Sequence, residues 1–291
     1  MEKHYKINWK RGLVITPEIL IASDNYHLLE RTLLGKFLAS HLYGVLPGSD
    51  FGMEKEISNN CLIVKNLNCY AMSSEGTVIG ISKDMPLQKK LPLNDMPENE
   101  YYVVLSANPC GIASEDEYEP YIYPDYYLTL KKTSEEIDFG MPVLKIKNET
   151  HWEIDTCYIP PSIALNAVDV LLQKYFEIIS RINNIIEKYP TNAPNFFQIS
   201  MLQLELKGFT PEKSPEEWLL LMKKFCWIFY TYLKNENKID ESFMMRNFIE
   251  EPFNPNDIEK AMRLGYECFV EIFTIFDRKP VQEEDLFEIK V

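Results

Sequence analysis

The apolar positions change their period partway along the chain. Up to about residue 160 they come in short runs: "CLIVKNLNCYAM" (61–72), "GTVIGIS" (76–82), "YYVVLSAN" (101–108), "YYLTLKK" (126–132), "VLKIKN" (143–148) and "HWEIDTCYI" (151–159). In "YYLTLKK", Tyr127, Thr129 and Lys131 fall on one side of an extended chain, Leu128 and Leu130 on the other. Asn, Gly, Pro and Ser separate the runs, as in "SSEG" (73–76) and "MPEN" (96–99), which predicts an antiparallel sandwich or barrel. One stretch departs from this. "DNYHLLERTLLGKFLASHLYG" (24–44) sets Leu28, Leu29, Leu33, Phe37 and Leu38 on a helical face behind Asp24, a candidate N-cap.

Beyond Pro160-Pro161 the period is helical. "SIALNAVDVLLQKYFEIISRINNIIEKY" (162–189) places Leu165, Val168, Leu172, Tyr175, Phe176, Ile179, Ile182 and Ile186 at three- and four-residue steps. A helix of that length extends about 40 Å. A shorter helix is predicted over 195–206, stopped by Gly208. A third opens with Ser214, Pro215 and Glu217, a capping box with proline at the first helical position. Asn254-Pro255-Asn256-Asp257 repeats the start signal for a fourth helix over 257–276. The predicted fold class is therefore α+β: an N-terminal antiparallel β-sandwich over 1–160 with one helix near 24–43, then a four-helix bundle over 161–276. The third helix is apolar on nearly every side, so it is either central in a compact fold or meets copies of itself. Trp218, Phe225, Phe229 and Tyr232 share one of its faces and are the candidate self-association residues. The acidic tail, 277–291, reads as a loosely packed terminus, with a short docking motif around Leu286, Phe287 and Ile289 as the alternative.

Composition narrows the function. Lysine and arginine total 30 against 44 acidic residues, a formal charge of −14. A chain this acidic repels phosphate backbones, so nucleic acid is not an expected partner. The N-terminal stretch is interrupted by charges, and the densest apolar run, "FCWIFYTYL" (225–233), is far short of the roughly 20 residues of a spanning helix. Neither signal nor membrane insertion is expected. Cys61, Cys69, Cys110, Cys157, Cys226 and Cys268 show no C-x-x-C spacing and read as reduced thiols of a cytoplasmic protein. His4, His27, His41 and His151 stand in no zinc-ligand pattern; His27 reads as a surface or interface residue and His151 as a structural one. The 11 glycines never form a phosphate-cradling run, and the acidic runs Glu135-Glu136 and Glu283-Glu284-Asp285 are consecutive rather than facing. No enzyme, metal or cofactor is expected. The segment "EDEYEPYIYPDYYLTL" (115–130) gathers Tyr118, Tyr121, Tyr123, Tyr126 and Tyr127, with Tyr102 upstream. It reads first as a loop folded onto the sandwich, then as a protein contact, and last as a glycan-binding surface.

Two pieces together resemble a known family. "INWKRGLVITPEILIASDNYHLLERTL" (7–33) is similar to the start of TssK, the baseplate subunit of bacterial type VI secretion, through Trp9, Gly12, Pro17 and Tyr26. The usual Gln-His-Phe after the proline is here Glu18-Ile19-Leu20. "WEIDTCYIPPSIAL" (152–165) resembles that family's strand, its Pro-Pro step and its first bundle helix, carried by Tyr158, Ile159, Pro160 and Pro161. The resemblance implies a β-sandwich shoulder, similar to that of phage receptor-binding proteins, and a homotrimer with its bundles around a three-fold axis. It also implies a non-catalytic adaptor that binds TssF/TssG-like wedge proteins in the cytoplasm, at the inner face of the envelope. The expected wedge-contact residues are Trp9, Arg11, Gly12, Ile15, Pro17 and Tyr26. Tyr158, Ile159, Pro160 and Pro161 are the expected stiff inter-domain step. The family usually continues into a C-terminal domain that docks on a membrane complex, whereas this chain ends about 15 residues after its fourth predicted helix. A membrane-complex partner is therefore the weaker expectation. The rival reading is a phage-like receptor-binding or glycan-binding protein.

Overall fold

A computed structural model of the chain describes residues 7–8, 12–38, 43–82, 87–94, 96–113, 122–133, 137, 140–188, 196–235 and 243–277. The chain divides into two compact units: Met1–Val168 with Pro255–Asp257, and Asp169–Asn254 with Ile258–Val291.

Among its described residues the first unit holds α1 (Pro17–Leu38) and nine strands: β1 (Gly44–Val45), β2 (Gly52–Ser58), β3 (Cys61–Met72), β4 (Val78–Ile81), β5 (Leu87–Pro92), β6 (Glu100–Ala113), β7 (Ile122–Lys132), β8 (Gly140–Asn148) and β9 (Trp152–Ile154). The long β3 is the hub of one sheet. β2 and β5 pair with its first half, β1 and β4 with its last residues, all antiparallel. The inward residues of β3 run Leu62, Val64, then Leu67, Cys69, Ala71, all at most 1% exposed. The three-residue step coincides with a break in the β3–β5 register between Val64 and Leu67. A one-residue slip turns every later side chain over, and the bulge lets both halves of β3 face the same interior. The second sheet runs β7-β6-β8-β9, also antiparallel. β5 lies against β7, β2 against β9 and β4 against β6, so the two sheets face each other over Val103, Leu105, Met141, Leu144 and Ile146. β2 and β5 were hidden in sequence because Glu54, Lys55, Glu56, Lys89 and Lys90 mask their alternation.

Two sequence expectations are corrected here. The N-terminal helix starts at Pro17, not after Asp24. The Thr16 hydroxyl accepts the Ile19 N–H at 3.4 Å and Pro17 takes the first helical position, leaving Asp24 inside the helix. The extension of this helix over 39–42 lies outside the described residues. The first bundle helix does not start at Ser162, because that segment's backbone is used elsewhere. Val45 N donates to Pro161 O at 2.8 Å, Ile163 N donates to Val45 O at 3.0 Å, and Ser162 bridges Val45 in parallel. Leu165–Ala167 then forms a 3-10 turn before α2 begins at Asp169. Gly44 makes the docking sterically open: its φ is +129°, and a Cβ there would overlap the Pro161 carbonyl.

A tyrosine cluster closes the first unit. The Tyr43 hydroxyl donates to Asn256 Oδ1 and the Tyr102 hydroxyl donates to Asn256 O at 3.4 Å. The Tyr158 ring lies 5.7 Å from that of Tyr102, and its hydroxyl donates to Pro142 O at 3.3 Å. Burial, with the charges of Asp257 and Glu100 behind it, pushes the Tyr102 phenol up to about 12. Burial also takes Tyr43 to about 12, against the opposing effect of its Asn256 hydrogen bond.

The second unit is helical: α2 (Asp169–Lys188), α3 (Phe196–Gly208), α4 (Pro215–Asn235), α5 (Phe243–Glu250) and α6 (Ile258–Asp277). α2 neighbours α3, α3 neighbours α4, α4 neighbours α6 and α6 neighbours α2, a closed ring of four, with α5 packed on α4 and α6. The fifth helix was not predicted; eight residues are too few for a period to declare itself. The capping box forms as read: Ser214 Oγ accepts Glu217 N at 3.1 Å, and Glu217 Oε2 accepts Ser214 N at 3.1 Å. α4 buries Trp218, Leu219, Leu221, Met222, Phe225, Cys226, Phe229, Tyr232 and Leu233, which accounts for its nearly all-round apolar sequence. Where α6 crosses it, Gly265 gives the clearance: a Cβ there would overlap the Met222 terminal methyl.

Two outcomes test this account. Gly44→Ala combines a strained φ with a backbone overlap, so it should cost more than about 2 kcal/mol in urea denaturation. Gly48→Ala, at φ +73° with open space around it, should cost only about 1 kcal/mol from backbone strain. For the tyrosines the sign is fixed by linkage. A phenol titrating higher in the folded than in the unfolded state holds its proton more tightly when native. Its stabilisation is complete below about pH 10 and is lost as pH rises through about 12. Urea midpoints measured from pH 8 to 11.5 should fall at the alkaline end, and Tyr102→Phe should flatten that fall.

Candidate interaction surfaces

The N-terminal candidates divide at once. Trp9 and Arg11 lie outside the described residues. Gly12 has φ +90° with open space around it, and Ile15 is 64% exposed. Pro17 is the first residue of α1. Tyr26 donates to Glu30 Oε1 at 2.7 Å, one turn on, and the Glu30 carboxylate raises its phenol above the usual range. Thr16 holds the Glu18 carboxyl below its usual range, as a favourable charge at a helix start should be.

α1 has no buried side chain among its described positions, although it is rich in Leu, Ile and Phe. Leu20, Ile21, Leu33, Leu34 and Phe37 are all about half exposed or more, Phe37 reaching 79%. At Gly35 the helix comes close to the rest of its unit: a Cβ there would stand 2.6 Å from Gly76 O, in the turn before β4. A run of exposed apolar side chains on one helix is the kind of surface that interaction sites use. The helical face read from the sequence holds Leu33 and Phe37, both outward here, because periodicity cannot say whether a face is inward.

The Pro-Pro residues sit inside the first unit. Ile159, Pro160 and Pro161 are buried, and the division between units falls at Val168–Asp169. Trp218, Phe225, Phe229 and Tyr232, picked for self-association, are interior side chains with at most 4% exposure. Trp218 meets the Tyr175 ring at 4.9 Å, and Phe225 stacks on Phe229 at 4.4 Å and meets Phe269 at 5.3 Å. These four are therefore not surface available to a second copy, and the α4 alternative resolves toward a central helix of a compact unit.

The outward apolar surface of the helical unit lies elsewhere. On α2, Leu171, Tyr175, Ile178, Ile182 and Ile185 are buried. One position on, Leu172, Phe176, Ile179 and Ile186 form a second stripe at the same spacing, partly exposed, with Asn183 completing the pattern. Phe176 is 56% exposed. This stripe repeats the four-three spacing of the buried one over two heptads, with Asn183 as its one polar position. Between α3 and α4 a groove of about 350 Å3 is lined by Phe197, Met201, Leu202, Trp227 and Ile228. Glu205 and Lys224 pair at 3.3 Å on its rim.

The polar candidates are ordinary. His27 is exposed and meets Glu30 at 3.3 Å; His151 is exposed and meets Glu153 at 2.6 Å, so it is a surface residue rather than a packed structural one. Cys61, Cys69, Cys157, Cys226 and Cys268 are free thiols. Burial pushes Cys69 up to about 12 and Cys226 well above its usual value, which makes both poor nucleophiles. The described tyrosines of the aromatic segment do not gather into one platform. Tyr102 is interior, Tyr126 accepts Gly80 N at 3.1 Å, Tyr127 is exposed, and Tyr118 and Tyr121 lie outside the described residues. Among the described residues no helix is long and apolar enough to cross a membrane.

No described sequence family matches the chain, and no curated protein matches it. Solved structures do. A chain of the type VI secretion TssK–TssF–TssG baseplate subcomplex aligns with a TM-score of 0.62 at 14% identity, over 94% of this chain and 99% of that one. TssK of the EAEC type VI secretion system, in complex with a nanobody, aligns with a TM-score of 0.60 at 14% identity, over 87% and 99%. A crystal structure of TssK aligns with a TM-score of 0.61 at 12% identity, over 92% of this chain and 70% of that one. The chain thus has the fold of TssK, with antiparallel sheets in its N-terminal part and helices in its C-terminal part.

Proposed function

We propose that this protein is a non-catalytic structural adaptor of a type VI secretion baseplate. It binds wedge proteins like TssF and TssG through the N-terminal segment and α1, and it associates as a homotrimer through its helical unit. It works in the cytoplasm at the inner face of the envelope. The observation that carries the reading is α1, a helix of 22 residues without a buried side chain among its described positions, on a fold shared with a chain of a TssK–TssF–TssG complex. An adaptor needs this kind of surface: large, apolar and presented by a folded scaffold. For self-association the interior residues of α4 give way to the second stripe of α2. Three copies meeting along Leu172, Phe176, Ile179 and Ile186 would bury it, and Asn183 would fix their register.

Light scattering on the full chain across a dilution series tests the trimer, which should weigh about three times 34.1 kDa. Phe176→Asp with Ile179→Asp should reduce it to a monomer. Ile21→Asp with Phe37→Asp should keep the trimer mass and lose co-purification with the wedge pair by at least about tenfold. That is the loss expected when one or two buried apolar side chains leave an interface. A monomeric wild-type chain would remove the trimer; unchanged wedge capture by the α1 variant would remove α1 as the contact.

A further inference from the structure

Between α2 and α6 lies a small cleft whose chemistry differs from that of the apolar surfaces. It holds about 110 Å3 and is lined by Lys174, Glu177, Ile178, Met262 and Tyr266. By helical spacing Lys174, Glu177, Ile178 and Arg181 share one face of α2, and Met262 and Tyr266 share one face of α6. That face of α2 is turned away from Leu172, Phe176 and Ile179. All of these residues lie in the bodies of two helices of 20 residues each, whereas the tail, 278–291, lies outside the described residues.

The floor of the cleft is apolar: Ile178 and Met262 are each 1% exposed. Its walls are donors. Arg181 Nη2 donates to the Tyr266 hydroxyl oxygen at 2.6 Å, and the guanidinium lies 4.6 Å from the centre of that ring. The same nitrogen donates to Glu177 Oε1 at 3.3 Å, so the guanidinium is held from two sides. A phenol oxygen that accepts a hydrogen bond still has its own proton to give. Among the described residues nothing takes that proton, and Lys174 has neither a hydrogen bond nor an ion pair. Among the lining residues Glu177 is the one carboxylate, and Arg181 already holds it. Two cations against one carboxylate give the cleft a positive balance, on a chain whose formal charge is −14.

We infer that this cleft binds a carboxylate carried on a short apolar stem. The carboxylate oxygens accept the Tyr266 O–H and the Lys174 ammonium, and the methylenes of the stem lie on Ile178 and Met262. Arg181 is a positioning residue: by donating to the phenol oxygen it leaves the phenol only a proton to offer. A phosphate or sulfate, polar on every side, would leave the apolar floor unmatched. The space takes a few heavy atoms rather than a nucleotide or a sugar. Two sources carry this chemistry, a free short-chain carboxylic acid and the side chain of a glutamate on another protein. The site is complete within one protomer, whatever the chain assembles with.

Titration of the full chain with sodium butyrate at constant ionic strength, followed by ligand-observed NMR, tests the site, with butyramide as the uncharged control. Butyrate should bind and butyramide should not. Tyr266→Phe, which keeps the ring, and Lys174→Met, which keeps the stem, should each weaken butyrate at least about threefold, at unchanged mass and melting temperature. A dissociation constant below about 1 mM would assign the site to a free acid. A weaker one, up to about 30 mM and still sensitive to both substitutions, would assign it to a side chain that a partner presents at high effective concentration. No saturation by that concentration would overturn the inference. So would equal binding of butyramide, or butyrate binding that both substitutions leave unchanged.

Discussion

Trp218, Met222, Phe225, Cys226 and Phe229 lie on successive turns of α4, and α3, α5 and α6 close over them. Each is at most 1% exposed. Removing any of the large ones would leave a cavity costing several kcal/mol, because the surrounding helices collapse only in part. The demand made by α4 explains the other helices. Gly265 lets α6 come close enough to fill the space beside Met222, and eight residues of α5 supply Met245 and Phe248 where the ring of four would otherwise leave a gap. The demand also has a consequence at the surface. α4 is apolar through more of its circumference than its neighbours enclose, so Leu220 and Trp227 remain outward.

The first unit depends on a comparable concentration of roles in β3. Among the described strands it alone pairs with four others, and the bulge at Val64–Leu67 keeps both its halves facing one interior. β1, at its end, has only two residues and would be a negligible strand by itself. It matters because its outer edge receives Pro161–Ile163 through hydrogen bonds at 2.8 and 3.0 Å. The two prolines, which cannot donate to a ladder, are tolerated because Pro161 acts there as an acceptor and Ile163 as the donor. A rigid step thus becomes part of the sheet system.

The sequence was legible where burial imposes a period. β6, β7 and β8 were visible because one face is interior and the other is not, and α4 and α6 because their caps and apolar steps agree. It was opaque where charges cover the outward face, as on β2 and β5, and where a contact joins distant residues without local pattern, as Asn256 does with Tyr43 and Tyr102. The self-association candidates turn inward for a related reason. Trp218, Phe225, Phe229 and Tyr232 were chosen as the most apolar face of the most apolar helix, and in a compact unit that face goes inward first. The surface left for partners is what remains: a second stripe on α2, a groove beside α4, and α1. Thr16-Pro17-Glu18 did carry a start signal for α1, but nothing local distinguishes a helix that covers a core from one that waits for a partner.

These three apolar surfaces are physically different, and the difference argues against one partner for all of them. The α2 stripe is a straight seam of branched and aromatic side chains with one asparagine, suited to an identical helix laid along it. The α3–α4 groove is short, concave and flanked by opposite charges, suited to a few residues of extended or single-turn chain. α1 has no buried side chain among its described positions, and a convex helix is buried best by a concave partner rather than by a copy of itself. Shape, before chemistry, distinguishes the three surfaces, and each is built from side chains that the other two do not use.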